Sequence, residues 1–415
     1  MQHGPFHSTR SADVLDRWLT GPFGSPGISS VPQIYLDNSA TSYPKPESVY
    51  AAVDHYNRSL GAAAGRGGFR AAVEVDTVLR RCRKRAAELL KAESPDRVVW
   101  TFNATDAINL ALHGLLDHGD HVVTTAAEHN SVLRPLGALS DRRDVEVTVI
   151  DVDVTGQVDP MAVRNALRPS TRLVAVQHAS NVTGVIQPID DIGSIAHENG
   201  TLVLVDAAQT AGHRPINLSD WPVDLLACAG HKGLLGPLGT GLLYIRPGIE
   251  DQMTGLRQGG TGSFSQENRQ PTTMPDRFEA GNPNAPALFG LDAGLAWIEE
   301  QGTDELVTHE EALIERLVSQ LEPLTDVTVI GPAPGAPRVG VISLVSATFE
   351  PHVLATVLDE SFGIQVRAGL HCAPGVHRAA GTFDDGGTVR LSVGPFSTTE
   401  EIDEACEALA SVTSS

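Results

Sequence analysis

The sequence predicts an α/β fold: a mostly parallel, seven-stranded sheet with helices on both faces, plus a smaller C-terminal α+β unit. Three observations predict it. From about Ile34 to Arg246, apolar strand-like runs alternate with helix-like stretches. His129, Asn181, Asp206 and Lys232 all fall just after strand-like runs, where open α/β sheets gather their ligands. After about residue 297 the regular alternation stops.

The expected strands of the large sheet are Arg97–Phe102, His121–Thr125, Val145–Ile150, Arg172–Gln177, Thr201–Val205, Asp224–Cys228 and Gly241–Ile245. Each is a short run rich in Val, Leu, Ile or Thr, as a strand buried on both faces requires. Helix-like stretches such as Thr105–Leu116, Asp159–Leu167 and Ile189–Asn199 lie between them. Beyond residue 297, helix Thr308–Leu321 is followed by strand Val339–Val345, helix Pro351–Leu358, and strands Ile364–Arg367 and Thr388–Val393. A terminal helix begins near Thr398, where Thr398 and Glu401 have the spacing of a capping box. A chain of 415 residues is too long for one ordinary core. The expected division is an N-terminal arm (1–33), a large unit (34–297) and a small C-terminal unit (298–415). The arm carries Gly21, Gly24, Pro26 and Gly27 and lacks the apolar centre of a signal peptide.

Composition narrows the function. Hydrophobic content is 41% and charged content 20%, as in soluble enzymes. No apolar run approaches the ~20 residues that span a bilayer. The net charge of −21 argues against nucleic-acid binding, and an electrostatically steered partner would be basic. Four cysteines without paired spacing fit a reducing, cytoplasmic setting. No metal-ligand pattern is expected.

The chemistry centres on Lys232. The chain has only four lysines, Lys45, Lys84, Lys91 and Lys232, and only Lys232 follows a buried-looking strand, in Leu225-Leu226-Ala227-Cys228-Ala229-Gly230-His231-Lys232. An amine there is placed to form a Schiff base with a cofactor aldehyde. The preceding strand ends in Asp206, whose carboxylate can pair with a pyridinium nitrogen. Alone, each has a plainer explanation, a helix cap or a surface charge. Together at successive strand ends they point to pyridoxal 5'-phosphate (PLP). Gln209 can reach the ring's phenolic oxygen, and His129 can stack on the ring. A strand runs into a helix at Trp100-Thr101-Phe102-Asn103-Ala104-Thr105, so the amides from Ala104 onward and the Thr105 hydroxyl can hold a phosphate; an ordinary Thr cap reads the same. The glycine-rich run Gly259-Gly260-Thr261-Gly262 is a second anion candidate.

Arg390 lies in Thr388-Val389-Arg390-Leu391-Ser392-Val393, where apolar residues alternate. It therefore shares a polar face with Thr388 and Ser392, and its guanidinium matches a substrate carboxylate. Asn181 can assist. Of the cysteines, Cys82 falls in a charged helix, Cys228 in a strand and Cys406 in the terminal helix. Cys372 alone falls in a loop, Arg367-Ala368-Gly369-Leu370-His371-Cys372-Ala373-Pro374-Gly375. Gly369, Pro374 and Gly375 allow exposure and motion there, and Arg367 and His371 are neighbours expected to favour a thiolate.

In order, Tyr35-Leu36-Asp37-Asn38-Ser39-Ala40-Thr41, Glu128-His129-Asn130-Ser131, Asp206-Ala207-Ala208-Gln209, Gly230-His231-Lys232 and Arg367-Ala368-Gly369-Leu370-His371-Cys372 resemble the cysteine desulfurases, class V, fold-type I PLP enzymes. The likeness covers about residues 34–413, and the short cysteine loop resembles the SufS-like, group II branch. The resemblance implies that L-cysteine becomes L-alanine while Cys372 receives sulfur as a persulfide. It further implies that Lys232 holds PLP and moves protons, with His129 a third catalytic residue. Asp206 and Gln209 hold the ring. Ala104, Thr105 and His231 hold phosphate, helped by Thr261 from the second subunit of a homodimer. Asn181, Arg390 and Asn38 take the substrate, and a protein sulfur acceptor is implied. Two departures stand out. Ala229 replaces the usual hydroxyl residue, which implies a weaker hold on phosphate, and Phe69 stands where relatives often have histidine. Selenocysteine lyases, C–S lyases acting on a substituted cysteine, and class V aminotransferases or epimerases share most of these residues. The rival from another class is a non-catalytic sulfur-relay or scaffold subunit, against which the joint presence of Lys232, Asp206, Arg390 and Cys372 argues.

Overall fold

The computed structural model describes residues 33–65, 67–263 and 266–413; the expected arm lies outside them, except for Gln33. Thirteen strands occur among the described residues. They are β1 (Ile34–Tyr35), β2 (Val98–Thr101), β3 (His121–Thr125), β4 (Glu146–Ile150), β5 (Thr171–Gln177), β6 (Leu202–Asp206), β7 (Leu225–Ala229), β8 (Gly241–Ile245), β9 (Val327–Ile330), β10 (Val341–Ser346), β11 (Ile364–Gln365), β12 (Arg367–Gly369) and β13 (Thr388–Ser392).

Seven of them form the predicted large sheet, in the order β2-β8-β7-β6-β5-β3-β4. Neighbouring strands from β7 to β4 run parallel, and β8 is antiparallel to both β7 and β2. Period-two alternation sends successive side chains to two different cores. Val123, Val174, Val176, Val203, Val205, Leu226 and Leu242 join one apolar cluster. Val122, Leu173, Ala175, Leu204, Leu225 and Leu243 join another. Burial on both faces is why these strands read as continuous apolar runs.

The helices that position the site are α1 (Ala104–Leu115), after β2, and α2 (Asn130–Arg143), after β3. Helix Ala285–Gln301 then leads to helix Thr303–Leu321, which starts five residues earlier than the sequence indicates. A second sheet of four antiparallel strands, β12-β13-β10-β9, has its own core around Leu317, Ile342, Leu344, Leu354 and Leu391. The capping box forms as expected: Thr398 N donates to Glu401 Oε2 at 2.9 Å and Glu401 N donates to Thr398 Oγ1 at 3.2 Å.

Chain order and spatial grouping part company at two places. Strand β1 pairs in parallel with β11, not with the large sheet. The single strand expected at Ile364–Arg367 is two strands in different sheets. From β1 the chain crosses to the end of β7: Ser42 N and Thr41 Oγ1 both donate to the His231 carbonyl at 3.1 Å, and the Ser42 hydroxyl donates to the Lys232 carbonyl at 2.9 Å.

Candidate functional site

A cavity of about 260 Å³ opens at the carboxyl ends of β3, β5, β6 and β7, and β13 closes one side of it. Its lining includes Ala104, Thr105, His129, Asn181, Asp206, Gln209, His231, Lys232, Cys372 and Arg390. Residues as far apart in the chain as Ala104 and Arg390 thus meet in one place.

Lys232 reaches the cavity through Gly230. A Cβ on that glycine would lie 2.2 Å from Thr240 Oγ1, so a side chain there would push the β7–β8 connection apart. Burial lowers the Lys232 ammonium pKa to about 8, and Asp206 opposes that shift. Asp206 ends β6. Burial raises its pKa, while the Ala208 N–H, which donates to Oδ1 at 2.9 Å, and Lys232 pull it back down. Gln209 is buried and donates from Nε2 to the Ser39 carbonyl at 3.2 Å.

The cap of α1 is Asn103 rather than Thr105: Asn103 Oδ1 accepts from Asp106 N at 2.8 Å. The Ala104 and Thr105 amides are first-turn donors without intrahelical acceptors, and the Thr105 hydroxyl is released from capping. It lies 2.7 Å from Ser131 Oγ, which is 2.8 Å from His129 Nδ1. His129 caps α2, its Nδ1 accepting from Ser131 N at 3.0 Å. Capping and facing the cavity prove compatible. Burial, followed by the Lys232 charge, lowers the His129 pKa to about 4, so its ring is neutral. Ser131 was passed over as a site residue, although its position two residues after His129 carried the signal.

Arg390 is not on a solvent-facing polar surface. It is 1% exposed, its Nη2 is 2.5 Å from Asp37 Oδ1, and its Nη1 donates to the Asn181 carbonyl at 3.1 Å. Asp37 is thus a residue that sequence reasoning left without a task, and it holds the guanidinium in place. The Asn181 amide donates to the His371 carbonyl at 2.6 Å. Asn38 does not line this cavity. Its Nδ2 donates to the Ser392 carbonyl at 3.1 Å and its Oδ1 accepts from Tyr43 N at 3.2 Å. It lines instead a neighbouring space of about 40 Å³ behind Lys232.

Cys372 is the one cysteine that is not buried; Cys82, Cys228 and Cys406 are. Burial also pushes those three thiol pKa values up, Cys406 to about 11. Arg367 Nη2 lies 3.9 Å from Cys372 Sγ. His371 behaves otherwise than expected. It is 3% exposed, points its Nε2 at Thr388 Oγ1 3.0 Å away, and is driven to a pKa of about 2, chiefly by burial. It is therefore a neutral buttress, not a cation beside the thiol. Nor is the loop loosely held. Asn130 N donates to the Cys372 carbonyl at 2.8 Å, and a Cβ on Gly375 would lie 2.0 Å from the Ala126 carbonyl oxygen. His371 and Cys372 both adopt left-handed backbone, at φ 48° and 61°, a strained arrangement for two non-glycine residues.

Thr261 is outside the cavity. Its hydroxyl lies 2.9 Å from Ser263 Oγ, and it lines a separate surface hollow with Gly65 and Asp76. Phe69 is 59% exposed and is also outside the cavity. Ala229 does line it. No group of His, Cys, Asp and Glu suited to a metal occurs among the described residues, and no helix among them is long and apolar enough to cross a membrane.

Strand-end lysine and aspartate, first-turn amides and a buried arginine on one cavity define a class of lysine-centred α/β enzymes. The chain belongs to the class-V aminotransferase family, whose model matches residues 34–405. It is 35% identical over 372 residues to a probable cysteine desulfurase of Methanothermobacter thermautotrophicus, covering 89% of this chain and 92% of that protein. It is 32% identical to a cysteine desulfurase of Haloferax volcanii, covering 95% and 94%. Among solved structures, the apo cysteine desulfurase of Thermococcus onnurineus superimposes with a TM-score of 0.86 at 34% identity, over 92% of this chain and 95% of that one. The structural neighbours support a fold-type I architecture.

Proposed function

We propose that this chain is a PLP-dependent cysteine desulfurase, converting L-cysteine to L-alanine and keeping the sulfur as a persulfide on Cys372. One observation carries the reading: the only cysteine that is not buried shares a cavity with Lys232, Asp206 and Arg390. The relatives' names point the same way.

The cavity residues fit the cofactor. Asn181 Oδ1, His231 Nδ1 and Arg390 Nε are buried and lack partners among the described residues, though buried polar atoms are normally satisfied. All three residues line the cavity, so a polar guest would supply what they lack. Ala104, Thr105 and His231 would hold the phosphate, with Ala229 contributing no hydroxyl. Asp206 and Gln209 would hold the ring, with neutral His129 stacked on it. When bound, PLP supplies an electron sink for the pair left on Cα.

The chain's own groups do the rest. Lys232, with a pKa near 8, is the amine that would hold the cofactor aldehyde, and its neutral form can take the Cα proton. Arg390, anchored by Asp37, and Asn181 orient the substrate carboxylate. Cys372 Sγ forms a bond to the substrate sulfur as the Cβ–S bond breaks; the electron pair stays with carbon, which protons then complete to alanine. Only four residues, Leu370 to Ala373, separate β12 from the next helix, which supports the group II likeness. The same reading divides the chain into large and small units meeting near residue 297, places it in the cytoplasm, and requires a protein to accept the persulfide sulfur.

Incubation of the purified, PLP-loaded protein with L-cysteine should yield alanine in step with persulfide. Pyruvate and free sulfide without persulfide would instead make it an eliminating C–S lyase. The reading also makes the enzyme a homodimer, with Thr261 completing the partner's phosphate site. Sedimentation at assay concentration should show a dimer, and an active monomer would contradict this.

A further inference from the structure

One buried carboxyl has no task in this scheme. Glu128 sits in the turn between β3 and α2 and is 0% exposed. Its Oε1 accepts from Thr125 Oγ1 at 2.7 Å, and the Gln177 main-chain N–H also acts on the carboxyl. Its Oε2 is buried without a partner among the described residues. The one charged group bearing on it is Asp206, itself a buried carboxyl. Gln177 ties the two together: its side chain donates to the Ala127 carbonyl at 2.7 Å, and its backbone is in register with Asp206. The ends of three adjacent strands therefore place two buried carboxyls near one another, Glu128 fully enclosed and Asp206 at the cavity wall.

Two acids in one low-dielectric site do not both ionise. Asp206 has the Ala208 N–H and the Lys232 charge to stabilise its anion. Glu128 has no cation acting on it among the described residues, and an isolated buried carboxylate is far costlier than a neutral acid. We propose that Glu128 is held as a neutral carboxylic acid and is a positioning residue for charge, leaving Asp206 as the single anion beneath the ring nitrogen. The proposal rests on the PLP reading for its purpose, not for its protonation state. Burial, the largest influence, places the Glu128 pKa at about 8. Near and above that pH the proton leaves, and a second negative charge appears beside Asp206.

The test is carboxyl carbon NMR of protein labelled with ¹³C at the glutamate side-chain carboxyl, with and without bound PLP. One glutamate should still be protonated at pH 7 and titrate near pH 8, and E128Q should lose that signal. In the PLP-loaded protein, the visible band should shift over the same pH range in the wild type and not in E128Q. If every glutamate is ionised at pH 7, the proposal is overturned. Should E128Q fail to fold, the labelled wild type decides alone. The only other buried glutamate, Glu310, pairs with His213 and Arg214, so a proton held near neutrality belongs to Glu128. A protein that fails to bind PLP but shows the signal would remove the cofactor reading and leave the buried acid standing.

Discussion

Lys232→Ala is expected to give a folded protein with no covalently held PLP and with turnover of L-cysteine reduced roughly 10²–10⁴-fold, the range a positioned proton-transfer group supplies. No other lysine can substitute. Lys84 and Lys91 are exposed, and Lys45 Nζ is committed to the Ser42 hydroxyl at 2.7 Å and the Ser42 carbonyl at 2.9 Å. Folding should survive, because an amine buried without an ion pair contributes little stability. The pH dependence has a definite sign. A lysine pKa lowered to about 8 leaves roughly a tenth of the amine neutral at pH 7, so Lys232 in the cofactor-free protein should react with amine reagents well below the pH that ordinary lysines need. Borohydride reduction followed by peptide mass spectrometry should find the cofactor on the Lys232 peptide of the wild type and nowhere in the variant. A reducible link that persists in the variant would end the assignment of Lys232.

The parts legible in the sequence share a physical cause. A strand buried on both faces must be apolar, so β3, β5, β6 and β7 announced themselves, and the polar residue after each was conspicuous. Asp206 and Lys232 could be found in this way. Arg390 could be found as a candidate, but not its partner. Asp37 lies 353 positions away, and the contact exists because the chain leaving β1 runs alongside β13: Asp37 bridges to Ser392, whose N–H donates to the Leu36 carbonyl at 2.7 Å. His371 differs for a similar reason: adjacency to Cys372 in the chain suggests a cation or base acting on the thiol, whereas the left-handed backbone at both residues and the Thr388 contact turn it inward. Asn38 sits in the motif that carries the resemblance, yet its hydrogen bonds fasten the turn to Ser392 and Tyr43. Glu128 stands beside His129 in its motif without a legible role, because nothing in the sequence shows whether a cation comes near it.

Cys372→Ala is expected to separate cofactor chemistry from sulfur transfer. Lys232, Arg390, Asp206 and His129 do not depend on the thiol, so the variant should bind PLP and still change its visible spectrum on adding L-cysteine. Alanine formation from L-cysteine should fall by at least about 10³-fold, as when an essential nucleophile is removed. The substrate thiol is a poor leaving group without a sulfur to receive it; selenium leaves more readily, so selenocysteine should suffer less. In the wild type, brief exposure to L-cysteine should add one sulfur to the Cys372 peptide. Cys82, Cys228 and Cys406 should stay unmodified, because all three are buried and burial disfavours their thiolates. The loop adds a constraint of its own. Two consecutive left-handed residues hold Sγ within 3.9 Å of Arg367 Nη2, so Cys372→Ser keeps the backbone and tests the sulfur alone. Serine should fail as completely as alanine, since a hydroxyl cannot take up sulfur as a persulfide. If either variant turns L-cysteine over at the wild-type rate, Cys372 is not the acceptor, and pyruvate in place of alanine would then identify an eliminating lyase.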